Sequence, residues 1–209
     1  PLVLNQQNFD DIIIKKLGMK YSPHTENLHI LESSIGRFKH PRHSVTIAMC
    51  GKYNSLHDAY KSIIEAFIHS GIYNDANVQV KWVDTEDLEQ HSNTDEVFKN
   101  VDGILIPGGF GDRGIEGKIM ASKHARENNI PFFGICLGLQ CAIIDFSRNV
   151  CGLKQANSTE FNKKCKHPVI DLMHGQRKLK NKGATMRLGS YICKIKGGTK
   201  AYQAYRKYN

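Results

Sequence analysis

The chain has 209 residues, 40% of them hydrophobic, 23% charged and 9% aromatic, the proportions of an ordinary globular protein and not of a disordered or collagen-like one. Its length suits one domain, or one domain with a short extension, and a core that needs no disulfide or metal staple. The net charge of +9 reflects 29 Lys and Arg against 20 Asp and Glu, but the excess is scattered, and the single dense run, Arg177-Lys178-Leu179-Lys180-Asn181-Lys182, carries no aromatic residue on which a base could stack. Nucleic acid is therefore not expected as a partner.

The longest uncharged stretch, Asn128 to Ile144, is too short to span a bilayer and is broken by Pro131, Gly134, Gly138 and Gln140. Pro1 to Asp11 has neither the basic start nor the apolar run of a signal peptide. These features predict a cytoplasmic protein with no membrane partner. The six cysteines, Cys50, Cys136, Cys141, Cys151, Cys165 and Cys193, form no CxxC pair, so reduced thiols and no metal site are expected.

In chain order, Asp10-Asp11 caps a short helix through Ile12, Ile13, Ile14 and Leu17 that Gly18 ends. The composition then turns polar as far as Ser44, which predicts a linker over residues 1–44. Val45 to Cys50 reads as a buried strand closed by Gly51. Leu56, Ala59, Tyr60, Ile63, Ile64 and Phe67 recur at helical spacing, with Gly71 placed to cap the helix. Val78, Val80 and Trp82 alternate with polar residues, as in a strand near a sheet edge.

Gly103 to Ile106 is a second buried strand, stopped by Pro107-Gly108-Gly109, and Ile115 to Asn128 a helix. Pro131 to Ile135 is a third buried strand running into the helix Leu137 to Phe146. Beyond Asn149, residues 168–173, 185–189 and 191–195 suggest antiparallel strands at one sheet edge. Strands alternating with helices predict an α/β fold with a mainly parallel open sheet and helices on both faces. A ligand would then sit at the carboxyl ends of the strands.

Gly134-Ile135-Cys136-Leu137-Gly138 is a G-x-C-x-G sequence between a strand and a helix, the pattern of a nucleophile elbow. Such a sharp turn forces the central residue into strained backbone angles and leaves no room for side chains two before or two after it. It projects a thiol at a helix N-terminus, where the macrodipole favours an anion, with the Leu137 N–H close to where an oxyanion would form. Pro107-Gly108-Gly109-Phe110-Gly111 ends on the same side of the sheet and could supply a second backbone donor. It matches neither phosphate-loop pattern. The plainer reading of Cys136 is a buried thiol among packing glycines.

With Gly51-Lys52-Tyr53, Asp58-Ala59-Tyr60-Lys61-Ser62, Arg148-Asn149-Val150, Ala156 to Phe161 and Met186-Arg187-Leu188-Gly189, these motifs resemble the glutamine amidotransferase domain of CTP synthases over nearly the whole chain. The resemblance implies a flavodoxin-like class I amidotransferase fold at 45–209, incomplete at its C-terminus, behind an inter-domain linker at 1–44. It implies L-glutamine as substrate, Cys136 as nucleophile, and Gly109 and Leu137 as oxyanion-hole amides. Glutamine would be held by Gly109, Leu137, Gly138, Leu139, Gln140 and Glu160, the carboxylate of Glu160 suiting the ligand's α-ammonium group.

The resemblance further implies that ammonia passes to an N-terminal synthetase domain of the same chain, which aminates UTP to CTP with ATP and Mg2+. GTP would act as an allosteric activator, and the full protein would be a homotetramer. No cofactor is implied for this domain itself. The family's His-Pro-Glu base and acid are missing: His167-Pro168-Val169 lacks the acid and reads as the first residues of a strand, and His24-Thr25-Glu26 lies in the linker. The family's later arginine-rich segment is absent as well. Two other classes stay open, a γ-glutamyl hydrolase-like or peptidase-like cysteine hydrolase, and a non-catalytic module that keeps the elbow.

Overall fold

A computed structural model describes residues 2–20, 26–52, 57–91, 93–172 and 192–206, which fall into two compact units, Pro1–Ile170 and Asp171–Asn209. The first unit begins with α1 (Leu2–Gln6), α2 (Phe9–Leu17) and α3 (Glu26–Lys39). Asp10 and Asp11 lie in the first turn of α2, and Gly18 ends it with a left-handed φ of 62°, which glycine adopts without steric cost. α3 has no counterpart in the sequence reading. It mixes polar and apolar residues without a clear run of either, so composition marks it as linker, yet it packs against the next long helix.

The core then follows as β1 (His43–Gly51), α4 (Lys61–Asn74), β2 (Ala76–Asp84), α5 (Thr85–Leu88), α6 (Thr94–Val97), β3 (Gly103–Ile106), α7 (Ile115–Glu127), β4 (Phe132–Gly134) and α8 (Leu137–Asn149). The strands form one parallel sheet in the order β2-β1-β3-β4. Alternation along β1 and β3 sends Ala48, Cys50, Ile104 and Ile106 to one face, against Ala121 and Ala125 of α7. Met49 and Leu105 point to the other, against Tyr60 and the apolar side of α4. Each large aliphatic side chain buried this way contributes roughly 1.5–3 kcal/mol.

Gly71 does not cap α4, as its position suggested. The helix runs on to Asn74, and Asp75 supplies the left-handed cap at φ 53°. Gly71 is buried inside the helix because a Cβ there would stand 2.5 Å from the carbonyl oxygen of Ala76, where the chain turns back into β2. β4 also departs from expectation. Among the described residues it is an edge of the sheet, not a buried strand, and Phe133 is 64% exposed.

Past α8 come β5 (Ala156–Ser158) and β6 (His167–Ile170), which pair in parallel as a small sheet of their own. An antiparallel edge strand was expected at 168–173; the pairing instead leaves Phe161, Val169 and Ile170 packed against the apolar cluster of α7 and α8. The expected strand at 185–189 lies outside the described residues, as do Tyr53, His24, His174 and the lysine-rich run at 177–182. In the second unit, Ile192 to Ile195 is described and is not a strand, and α9 (Lys200–Arg206) is a helix among the described residues.

Candidate active site

The carboxyl ends of β3 and β4 carry the two glycine motifs side by side. β3 runs through Ile106 into the buried Pro107 and then Gly108 and Gly109; β4 runs through Gly134 and Ile135 into Cys136. The Ile135 N–H donates to the Ile106 carbonyl at 2.9 Å, which carries the parallel pairing up to the turn. A Cβ on Gly108 would sit 3.4 Å from the Cβ of Cys136, and one on Gly109 would sit 3.7 Å from Cδ2 of Leu137. The two loops thus share one end of the sheet, with the Gly108 backbone beside Cys136 and the Gly109 backbone beside Leu137.

Cys136 has φ 52° and ψ −106°, a strained conformation for a residue with a Cβ, and is exposed. It is the N-cap residue of α8, and its own carbonyl accepts the Gln140 N–H at 3.2 Å as the helix begins. The glycines on either side have the steric reason their spacing suggested. A Cβ on Gly134 would stand 2.5 Å from the carbonyl carbon of Gly138, and one on Gly138 would run into the carbonyl oxygen of Ile106. α8 can start this close to β3 only with glycine at both places.

Of the other candidate residues, Leu137 is 3% exposed and fixes the first turn of α8 in the apolar cluster with Ile115, Ile119, Cys141 and Ile144. Gly138 is buried, Leu139 exposed and Gln140 half-buried. Glu160 is exposed in the turn after β5, where its N–H donates to Ser158 Oγ at 3.2 Å. The start of β5 is tied to α8 through Arg148, whose Nε donates to the Ala156 carbonyl at 2.8 Å while its terminal nitrogens bind the Glu116 carboxylate of α7. His167 is the first residue of β6 and pairs with Ala156, as read from the sequence.

The thiols differ sharply in surroundings. Cys50 and Cys141 are buried; burial pushes the Cys141 thiol up from 9.0 to about 12 and raises Cys50 as well, so both stay protonated and inert. Lys118, 3% exposed, acts electrostatically on both thiols and is a buried cation the sequence did not reveal. Its Nζ donates to Thr85 Oγ1 at 3.2 Å and to the carbonyls of Arg113 at 3.4 Å and Gly114 at 3.2 Å, and burial holds its amine below the ordinary lysine range. Nothing in the spacing of a lysine within a helix signals burial of this kind. Among the described residues no group of three or more His, Cys, Asp or Glu gathers as a metal site would require, and no helix is long and apolar enough to cross a membrane.

A doubly wound parallel sheet with a strained cysteine between β4 and α8, and a glycine loop closing on it from β3, defines the class I amidotransferase type of α/β protein. Residues 55–208 match the family "Glutamine amidotransferase class-I", and the chain belongs to it. It is 52% identical over 210 residues to a CTP synthase of Prosthecochloris aestuarii, all of this chain aligning with 37% of that protein. It is 50% identical over 206 residues to a CTP synthase of Caldanaerobacter subterraneus, covering 99% of this chain and 38% of the relative. Among solved structures it resembles the Trypanosoma brucei CTPS glutaminase domain with bound acivicin, with a TM-score of 0.59 and 46% identity over 64% of this chain and 52% of that one. The chain spans less than two fifths of the length of the curated relatives it matches.

Proposed function

We propose that this chain is the glutaminase part of a CTP synthase, cleaving L-glutamine through a thioester on Cys136. The observation that carries the proposal is the exposed, strained Cys136 at the start of α8, with the Gly108 backbone beside it and Gly109 beside the adjoining Leu137. The thiolate sulfur attacks the amide carbon of glutamine, and the carbonyl electrons move onto oxygen. The N–H groups of Gly109 and Leu137 stabilise that oxyanion, an interaction of the transition state and not of the ground state. The proton removed from the thiol passes to the amide nitrogen, and collapse of the intermediate breaks the C–N bond and expels ammonia. Water then cleaves the thioester to glutamate and restores Cys136.

Gln140 and Glu160 orient the substrate, with the Glu160 carboxylate pairing with its α-ammonium group. The 209 residues contain no His-Pro-Glu sequence, so the base that serves Cys136 in this scheme is not one the sequence identifies. The ammonia passes to a synthetase portion that aminates UTP to CTP with ATP and Mg2+, with GTP as an allosteric activator; the relatives' name, CTP synthase, and the share of their length left unmatched support the synthetase portion.

The test is reaction with diazo-oxo-norleucine, a glutamine analogue with a diazoketone in place of the amide, followed by mass mapping. One adduct at Cys136 is the expected result. An adduct at Cys141 or Cys151 in its place contradicts the assignment.

A further inference from the structure

The loop from Pro107 to Gly114 has a task at odds with its composition. Four of its eight residues are glycine, and Gly111 and Gly114 hold positive φ of 88° and 66°, so the unfolded chain has unusual freedom to lose here. A backbone donor that is to stabilise an oxyanion must nevertheless be held in place before reaction. Side-chain packing does not hold the middle of the loop, because Phe110 is 73% exposed.

The described anchors are polar. At the far end, Arg113 pairs with Glu86, and the buried Lys118 binds the carbonyls of Arg113 and Gly114. At the near end, one residue past Gly109, the Nζ of Lys52 donates to the carbonyl of Phe110 at 2.6 Å. This is a short, charge-assisted bond from a half-buried side chain just beyond the end of β1. The ammonium also lies beside the next residue, where a Cβ on Gly111 would be 3.6 Å from it, in ordinary contact.

We propose that Lys52 is a positioning residue for the glycine loop, its ammonium at the end of β1 fixing the Phe110 carbonyl and thereby the path of the backbone that presents Gly109 to Cys136. The inference rests on the glutaminase reading for its purpose, though the anchoring itself is a separate claim. A residue just past β1 thus steadies a loop that follows β3, the two strands being neighbours that pair through Ile47, Ala48 and Met49.

The experiment compares the chain with Lys52→Met and Lys52→Arg by two measurements. Hydrogen exchange of peptides covering 108–111 is expected to rise at least about tenfold in Lys52→Met, with α4 and β2 unchanged. Labelling of Cys136 by diazo-oxo-norleucine is expected to fall about tenfold while alkylation by iodoacetamide stays within about twofold. In labelling, the thiol proton moves to the diazo carbon, sulfur bonds to that carbon and N2 leaves; the analogue's ketone oxygen needs the loop's donors, and iodoacetamide does not.

Lys52→Arg keeps a cation with several donors and should recover most of the analogue's rate. Unchanged exchange in Lys52→Met overturns the inference, as does an equal fall with both reagents, which marks a general loss of structure. Wild-type chain that takes up iodoacetamide and not the analogue counts against the glutaminase reading, and the exchange measurement then still decides the anchoring.

Discussion

At Cys136 a strained backbone and two close glycines place a thiol where the sheet ends, and each part of that arrangement has its own consequence under substitution. A methyl group on Gly138 has to displace the backbone of β3 at Ile106, so Gly138→Ala should cost about 3 kcal/mol or more, read as a lowered urea midpoint. This requirement was legible in the sequence because it is local: G-x-C-x-G between an apolar run and a helical pattern has a steric meaning before any fold is known. Lys52 and Lys118 were not legible, since their roles depend on carbonyls 58 and four to five residues away. Cys141 offers a pH test at the same scale. Its folded pKa lies above the unfolded value of 9.0 and reaches about 12. Its contribution is therefore complete below pH 9 and is lost as pH climbs toward 12. Lys118, depressed chiefly by burial, acts with the opposite sign, and losing the Cys141 charge depresses it further in the variant, which flattens the variant's curve in the same direction. Urea midpoints between pH 8 and 11 should fall less steeply in Cys141→Ala than in the wild type; parallel curves would contradict the account.

Among elements, the pair α7 and α8 holds the site from behind. Asp145 of α8 is 1% exposed and accepts from Arg126 of α7 at 2.9 and 3.1 Å and from Asn149 at 2.8 Å. Arg126→Met leaves that carboxylate buried with one partner fewer, at a cost of roughly 3 kcal/mol. Arg126→Met paired with Asp145→Leu should recover much of the loss, and a double variant no better than the single one would show that the pair is not what matters. The strands β1, β2 and β3 and the helices α4, α7 and α8 were readable from apolar runs and helical spacing. α3 was not, because its exposed polar surface hides the pattern, and the parallel pairing of β5 with β6 was not, because a three-residue strand has too few residues to show alternation.

For the molecule as a whole, the proposed chemistry needs a base that no His-Pro-Glu sequence supplies within the 209 residues. Loss of a general base slows such reactions roughly 10²–10⁴-fold, so this chain alone should release glutamate from glutamine at least 100-fold more slowly than a chain carrying that motif. Equal turnover would mean that another group serves as base. Binding and the nucleophile are separable from that deficit, and they bear on the central claim that Cys136 lies in a glutamine site. The most direct measurement is protection: the rate at which diazo-oxo-norleucine labels Cys136, followed by mass spectrometry with rising L-glutamine or L-asparagine. The account predicts that glutamine slows labelling at Cys136 in a saturable way and that asparagine, one methylene shorter, does so far less. Labelling at Cys136 that ignores glutamine, or that both amides slow alike, would contradict it.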